Sequence, residues 1–440
     1  MYNAMNNLTY NETKVNLEYK ALHGFYWMLY CLTTGYTTVL LLSHGFSSSV
    51  IGIIAAVSSI LAAVGQLAVG NLTDKCSRVT WKNIYLMIGA LEGAALAVLA
   101  VFKGTAIVNA ICFPLFTILM YLQMPLVNSA VFHYTSRGLK VDFGSARGMG
   151  SLTYAFISFV AGQLIVRMGE SVIIYLSILV TAGMLLDVFV MPCAKDAPLS
   201  RAAKNADEAE VSAASAPASA GSGTDTAAAG GSPQDDSASG KSIGNILGFA
   251  GRYPDFMLVL AGSILLMSFH NIGHTYMIQI MEAVGGNSAT MGTAFSIEAI
   301  MELPVMFGFY KLIKKVSADN LMIVAGAAFT LKALTYLLAS SVTALYLAQI
   351  LQMFSNAIFI LASVYYADKK MAPEDKVTGQ SYMTASISIG AVLGNFLGGQ
   401  VLNAAGLHLM LLFSFLMAAA GTLIVVIGVK AGSRRGADAR

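Results

Sequence analysis

Residues 213–240 read AASAPASAGSGTDTAAAGGSPQDDSASG. The stretch holds no aromatic and no large aliphatic side chain, so it cannot bury enough apolar surface to offset the cost of ordering the chain. It lies in a longer polar run, Ala194 to Ala250, which reads as a flexible, solvated tether. On either side stand apolar segments of about 18 residues or more, the length read as membrane-crossing. The predicted organisation is an N-terminal bundle over residues 1–193, a cytoplasmic linker over 194–250 and a C-terminal bundle over 251–440.

Composition supports that reading. With 56% hydrophobic residues, 11% charged and a mean hydropathy of +0.68, the chain is a polytopic membrane protein rather than a globular soluble one. A net charge of +3 offers no basic surface for nucleic acid. The cysteines Cys31, Cys76, Cys112 and Cys193 fall at unrelated spacings, with neither a disulfide nor a zinc pattern. The first twenty residues are polar and carry no apolar signal-peptide core, so the first span is expected to direct insertion.

Twelve spans, all α, follow from runs long enough for a hydrocarbon core of about 30 Å. Those of the first half are Ala21–Ser43, Val50–Leu72, Ile84–Phe102, Thr105–Phe132, Gly148–Val166 and Val172–Pro192. Those of the second are Pro254–Met281, Thr290–Leu312, Leu321–Ala339, Thr343–Tyr366, Gln380–Leu402 and His408–Val429. With the N-terminus cytoplasmic, 23 of the 26 basic residues fall on the cytoplasmic side, against Lys103 and Arg167 outside and Lys332 within a span. That asymmetry predicts cytoplasmic termini and tether. The halves also repeat faintly. Asn83 to Gly89 opening span three matches Asn320 to Gly326 opening span nine, and Gly162, Gln163 and Gly169 match Gly399, Gln400 and Gly406. Two duplicated six-helix halves point to a carrier that rocks about a central site.

After span two the chain reads Gly70-Asn-Leu72-Thr-Asp74-Lys75-Cys-Ser-Arg78. This resembles the signature Gly-x-Leu-x-Asp-(Arg/Lys)-x-Gly-Arg of the major facilitator superfamily, with Ser77 where a glycine is usual. A glycine there allows close helix approach, and the carboxylate can pair with a base or a helix N-terminus. The motif predicts a cytoplasmic latch of Gly70, Asp74 and Arg78, and Asp142 with Arg147 fits a similar one. Gln66, the run Glu298-Ala-Ile-Met-Glu302-Leu-Pro304, and Ala-Pro373-Glu374-Asp-Lys376-Val-Thr-Gly379-Gln380 resemble the oligosaccharide and nucleoside proton symporter branch, lactose permease's relatives. The resemblance implies the twelve-helix major facilitator fold and import of a small polar solute with a proton. Span ten lacks the histidine and carboxylate of lactose permease, and span four its carboxylate, so lactose-type sugar binding is not carried over.

Ionised groups at mid-bilayer cost about 2.5–3.5 kcal/mol each, so they are functional candidates. Glu298 and Glu302 share one face of span eight and are the candidates for proton coupling; the alternative is that one of them pairs with Lys332 on span nine and ties helices together. His270 lies at the depth of Glu298, on span seven, whose polar patch also holds Asn271 and His274. These three, with Tyr30 on span one, are candidate substrate contacts. Gln349, Gln352 and Asn356 place three amides on one face of span ten, suited either to a hydroxyl-rich or base-like ligand or to interhelical hydrogen bonds. His270 and His274 have metal-pair spacing but no clear third ligand, so no metal and no cofactor is expected. Span three is peripheral in the family the chain resembles, which places Glu92 at the periphery, and Asp187 lies near the cytoplasmic end of span six; both are expected to reach water or a partner.

The expected function is proton-coupled import of a sugar- or nucleoside-like solute across the inner plasma membrane, by a monomer whose partners are substrate, protons and lipid. Rivals are an efflux carrier and a non-transporting sensor signalling through the tether. An enzyme is not expected, since the sequence offers no nucleophile–base pair, phosphate loop or metalloprotease motif.

Overall fold

A computed structural model describes residues 12–75, 80–102, 105–135, 139–191 and 248–438, with backbone alone for 71–75 and 433–438. The tether, apart from residues 248–250, lies outside them. The described residues form helices and no strand. In the first half they are α1 (Glu12–Ser43), α2 (Ser48–Lys75), α3 (Trp81–Val101), α4 (Ala106–Thr135), α5 (Phe143–Met168) and α6 (Val172–Val190). The second half has α7 (Pro254–Thr275), extended by the short helix Met277–Ala283, then α8 (Ser288–Ile313), α9 (Ala318–Leu338) and α10 (Val342–Lys370). A last helical stretch runs from Lys376 to Asp438. Its apolar part, Pro373–Gly432, is 60 residues long, about 90 Å as a helix and three times a hydrocarbon core. Gly406, at φ 82° and ψ 174°, breaks it into α11 (376–405) and α12 (407–438). The described residues thus form the twelve membrane-length helices expected.

Caps place several starts earlier than hydropathy does. Asp142 accepts the Ser145 N–H at 3.1 Å and opens α5 five residues before Gly148. Polar residues from Glu12 to Lys20 form the first turns of α1, which an apolar window cannot register.

Local geometry sharpens the repeat. Thr80 caps α3 through Asn83 N–H and Ser317 caps α9 through Asn320 N–H, each at 3.3 Å. Among the described residues four glycines at positive φ, Gly45, Gly169, Gly285 and Gly406, stop α1, α5, α7 and α11, the same turn used twice in each half.

The halves meet where α5 packs on α8 and α2 packs on α11. Both crossings lie at the face opposite the tether, here the distal face. A Cβ on Gly292 of α8 would stand 2.5 Å from Tyr36 Oη and 3.1 Å from the Gly162 Cα of α5. A Cβ on Gly52 of α2 would stand 2.6 Å from Tyr276 Oη and 3.3 Å from the Gly399 Cα of α11. Tyr36 donates to the Ser158 carbonyl beside the first crossing, and Tyr276 donates to the Asn395 carbonyl beside the second, at 2.7 Å. Two equivalent glycine clasps therefore close the distal face backbone against backbone. Ser49 to Gln400 at 2.8 Å and Gln279 to Ser48 at 3.1 Å add side-chain bonds at the same level.

Candidate functional site

On α8, Glu298 and Glu302 lie one turn apart and face inward, 4% and 1% exposed. Lys332 of α9, 2% exposed, reaches the same level and stands 3.6 Å from Glu298. The alternative pairing with Lys332 is thus the one formed. Its ammonium also donates to Gln352 Oε1 at 2.7 Å. On α10 the α-helix gives way to a 3₁₀ turn at Leu351–Met353, and Ser355 departs to φ −90° and ψ −92°. The break lets Gln352 and Asn356 converge on one acceptor, Glu302 Oε1, at 2.8 and 3.1 Å. Broken helices at mid-bilayer are the usual material of transporter sites.

The result is one chain of contacts, Glu298–Lys332–Gln352–Glu302–Asn356, across three helices. Lys332 and Glu298 form a neutral pair; Glu302 is held by amides rather than by a second cation at ion-pair distance among the described residues. Arg147 of the first half acts on it electrostatically across the interface.

A narrow cavity lies beside this chain of contacts; about 210 Å³ of space stands between its atoms, none of it wide enough for a water molecule. Phe269, His270, Gly273, His274, Met277, Glu298, Lys332 and Tyr336 line it. His274 stacks on Phe295 at 4.6 Å between ring centres and meets Tyr154 Oη of α5 at 3.1 Å. One helical turn nearer the distal face, Ser158 and Ser296 hydroxyls meet at 3.0 Å and Ser296 donates to the Ala155 carbonyl at 2.5 Å. The cavity thus touches the seam between halves. Opposite, α1 runs through a π-helical turn at Cys31–Gly35, an irregularity often found at functional sites.

The predicted residues divide. His270, His274 and Glu298 share the cavity. Asn271 turns back to the Met267 carbonyl at 2.9 Å, and Tyr30 packs among Trp27, Tyr26 and Tyr121. All three span-ten amides are engaged between helices, Gln349 with Tyr336 Oη at 2.8 Å. Asp142 and Arg147 do not pair with each other: Asp142 caps α5, while Arg147 is buried, donates to Ser151 Oγ at 3.3 Å and lies 3.8 Å over the Trp27 ring. An arginine five residues into a capped helix points into the bundle, away from its own cap. The close approach expected at Gly70 is not seen, since a Cβ there meets nothing within 4 Å among the described residues. The Asp74 side chain and Arg78 lie outside those residues. Tyr154, Ser158, Ser296 and Tyr336 were not singled out; the shared spacing of Tyr36 and Tyr276 to their following glycine turns was the available signal for the clasps. Of the two outcomes expected for Glu92 and Asp187, Glu92 takes a partner and not water, fully buried against Gln123, while Asp187 is partly buried. Among the described residues no group of three His, Cys, Asp or Glu could hold a metal ion.

A family model, the MFS_1 like family, matches residues 18–415. The chain belongs to the MFS_1 like family. Its fold is that of solved transporters. The structure of the nucleoside transporter NupG is 15% identical, with a TM-score of 0.71 over 95% of this chain and 98% of that one. An auto inhibited POT family peptide transporter is 12% identical, with a TM-score of 0.65 over 96% and 97%. A bacterial homolog to the human lysosomal transporter Spinster, inward-facing and unoccupied, is 12% identical with a TM-score of 0.65 over 96% and 98%. At such identities the likeness shows fold alone. No curated protein matches in sequence. Family and fold make this MFS_1 like chain a multi-pass membrane transporter and not an enzyme.

Proposed function

We propose that the chain imports a small polar solute, nucleoside- or sugar-like, together with a proton. The observation that carries this reading is the convergence of two α10 amides on Glu302 beside the buried Glu298–Lys332 pair. An ionised carboxylate at this depth is costly, and one proton removes that charge. Once neutral, Glu302 holds Gln352 and Asn356 less strongly, because a hydrogen bond to a charged acceptor is roughly twice as strong as one between neutral groups. The freed amides can then turn to the hydroxyls or ring acceptors of a solute. His274 and Tyr154 join the two halves beside the cavity, so ligand there bears on the seam, and opening the distal clasps completes alternating access. One charge crossing 100 mV is worth about 2.3 kcal/mol, enough to drive accumulation. The fold of NupG is consistent with a nucleoside-like ligand.

The test is purified protein in liposomes with a trapped pH dye, challenged with panels of nucleosides, sugars and aromatic acids. Acidification driven by one class is the expected result. Glu302→Gln should abolish that proton movement while leaving solute exchange in place. A Glu302→Gln carrier that still concentrates solute against a clamped pH gradient excludes the residue, and silence across every panel with folded protein turns the reading toward export.

A further inference from the structure

The first half buries a carboxylate of its own. Glu92 of α3 has no exposed surface and lies eleven residues past Trp81, about 16 Å along the helix. Gln123 Nε2 of α4 donates to its Oε2 at 2.7 Å. Glu92 Oε1 and Gln123 Oε1 have no partner. Among the described residues no cation stands at ion-pair distance. A carboxylate stripped of water and given one neutral donor is poorly solvated; the neutral acid fits this site better.

Further titratable groups lie between it and the tether face. Tyr85, seven residues earlier on the same face of α3, is fully buried with its hydroxyl unpartnered and lies within electrostatic reach of both Glu92 and Asp187 of α6. Glu18 of α1, paired with Lys14 at 3.6 Å, is in turn within reach of Asp187. Lys82 closes the tether-face end by donating to the Phe189 and Met191 carbonyls at 2.8 Å each. Thr181 of α6 stands beside Gly93. α4 contributes Gln123 and no ionised group at this level.

We propose that Glu92 is a second proton-binding site of the transporter, held by Gln123 and reached from the tether face past Asp187 and Tyr85. The ligand is a proton rather than a metal ion, since a hard cation needs about six oxygens and the site offers two unpartnered ones beside a phenol. The site bears on the moving helices. Pro125, two residues beyond Gln123, has no N–H for the Tyr121 carbonyl, which accepts Gln66 Nε2 of α2 at 2.8 Å instead. Gln123 thus sits beside a weakened point of α4 that is tied to a clasp helix. The assignment stands whether or not Glu302 carries the coupled proton.

Carbodiimide, which adds to protonated carboxyls in apolar surroundings, tests this on the full wild-type chain in lipid. Adducts are read peptide by peptide by mass spectrometry from about pH 5 to about pH 9, so Glu92 is scored apart from Glu298 and Glu302. Labelling of Glu92 should fall at least about tenfold across that window, as for a group titrating within it, and be absent in Glu92→Gln, which keeps the amide contact. Tyr85→Phe and Asp187→Asn should slow the approach to each new level after a pH jump. Labelling constant with pH would mean a permanently neutral structural group and overturn the proposal. So would no adduct at Glu92 where Glu302 is labelled, or protection by sodium in place of alkali.

Discussion

Replacing Gly292 by alanine should loosen the distal face. The added methyl would lie 2.5 Å from Tyr36 Oη and closer still to the Ser158 carbonyl, where ordinary contact needs about 3.4 Å or more. Helix α8 must therefore move from α5 by about 1 Å, and backbone gives way less readily than a side chain. Overpacking of this kind costs about 1–3 kcal/mol. Spent against the distally closed state alone, that shifts the closed-to-open ratio by about 5–150-fold. Cys31 reports the shift, because it is fully buried in the π turn of α1 in contact with Tyr154 and Ser158. Maleimide labelling of the Cys31 peptide should accelerate by that factor, and Gly52→Ala at the second clasp should act in the same direction. If Gly292→Ala labels Cys31 at the wild-type rate and melts at the wild-type temperature, the clasp does not hold the face closed.

Two further outcomes can be checked by unfolding. Lys332→Met strands Glu298 inside the bundle and should cost about 3–5 kcal/mol in stability, while Lys332→Met with Glu298→Gln should recover most of it; equal melting temperatures for single and double variants would refute the pair. Partial burial pulls the Asp142 carboxyl upward, but hydrogen bonds from Ser145 and the nearby Lys20 charge outweigh it and hold the group below the usual carboxylate range. A depressed carboxyl adds stability that is complete above its unfolded value, about pH 4, and is lost as pH falls through the lower folded value. Acid titration in that window should therefore lower the melting temperature of the wild type more than that of Asp142→Asn.

Much of this was legible in the chain. Span number, the six-helix repeat and the role of Glu298 and Glu302 as inward-facing groups follow from hydropathy and from charges that a bilayer tolerates only indoors. The repeat of Gly162 and Gly399 was visible as well, but not its purpose, because contact between α5 and α8 or between α2 and α11 joins residues far apart in sequence. The same reason hides Tyr154 with His274. Glu92 read as peripheral because span three is peripheral in the family the chain resembles, and span order does not say which face of α3 turns toward Gln123. The amide stripe of α10 had two readings, and the break at Leu351–Met353, which no periodicity announces, turns it toward Glu302.

The clasps have a bearing on energetics. Gly52, Gly162, Gly292, Gly399, Tyr36, Tyr276, Ser158 and Asn395 include no acid or base that ionises near neutral pH. Parting these contacts moves no formal charge through the membrane field and exchanges no proton with the medium. Neither voltage nor bulk acidity has a handle on that gate itself; any electrical or pH sensitivity of the cycle must enter through the carboxyls and cations deeper in the two halves.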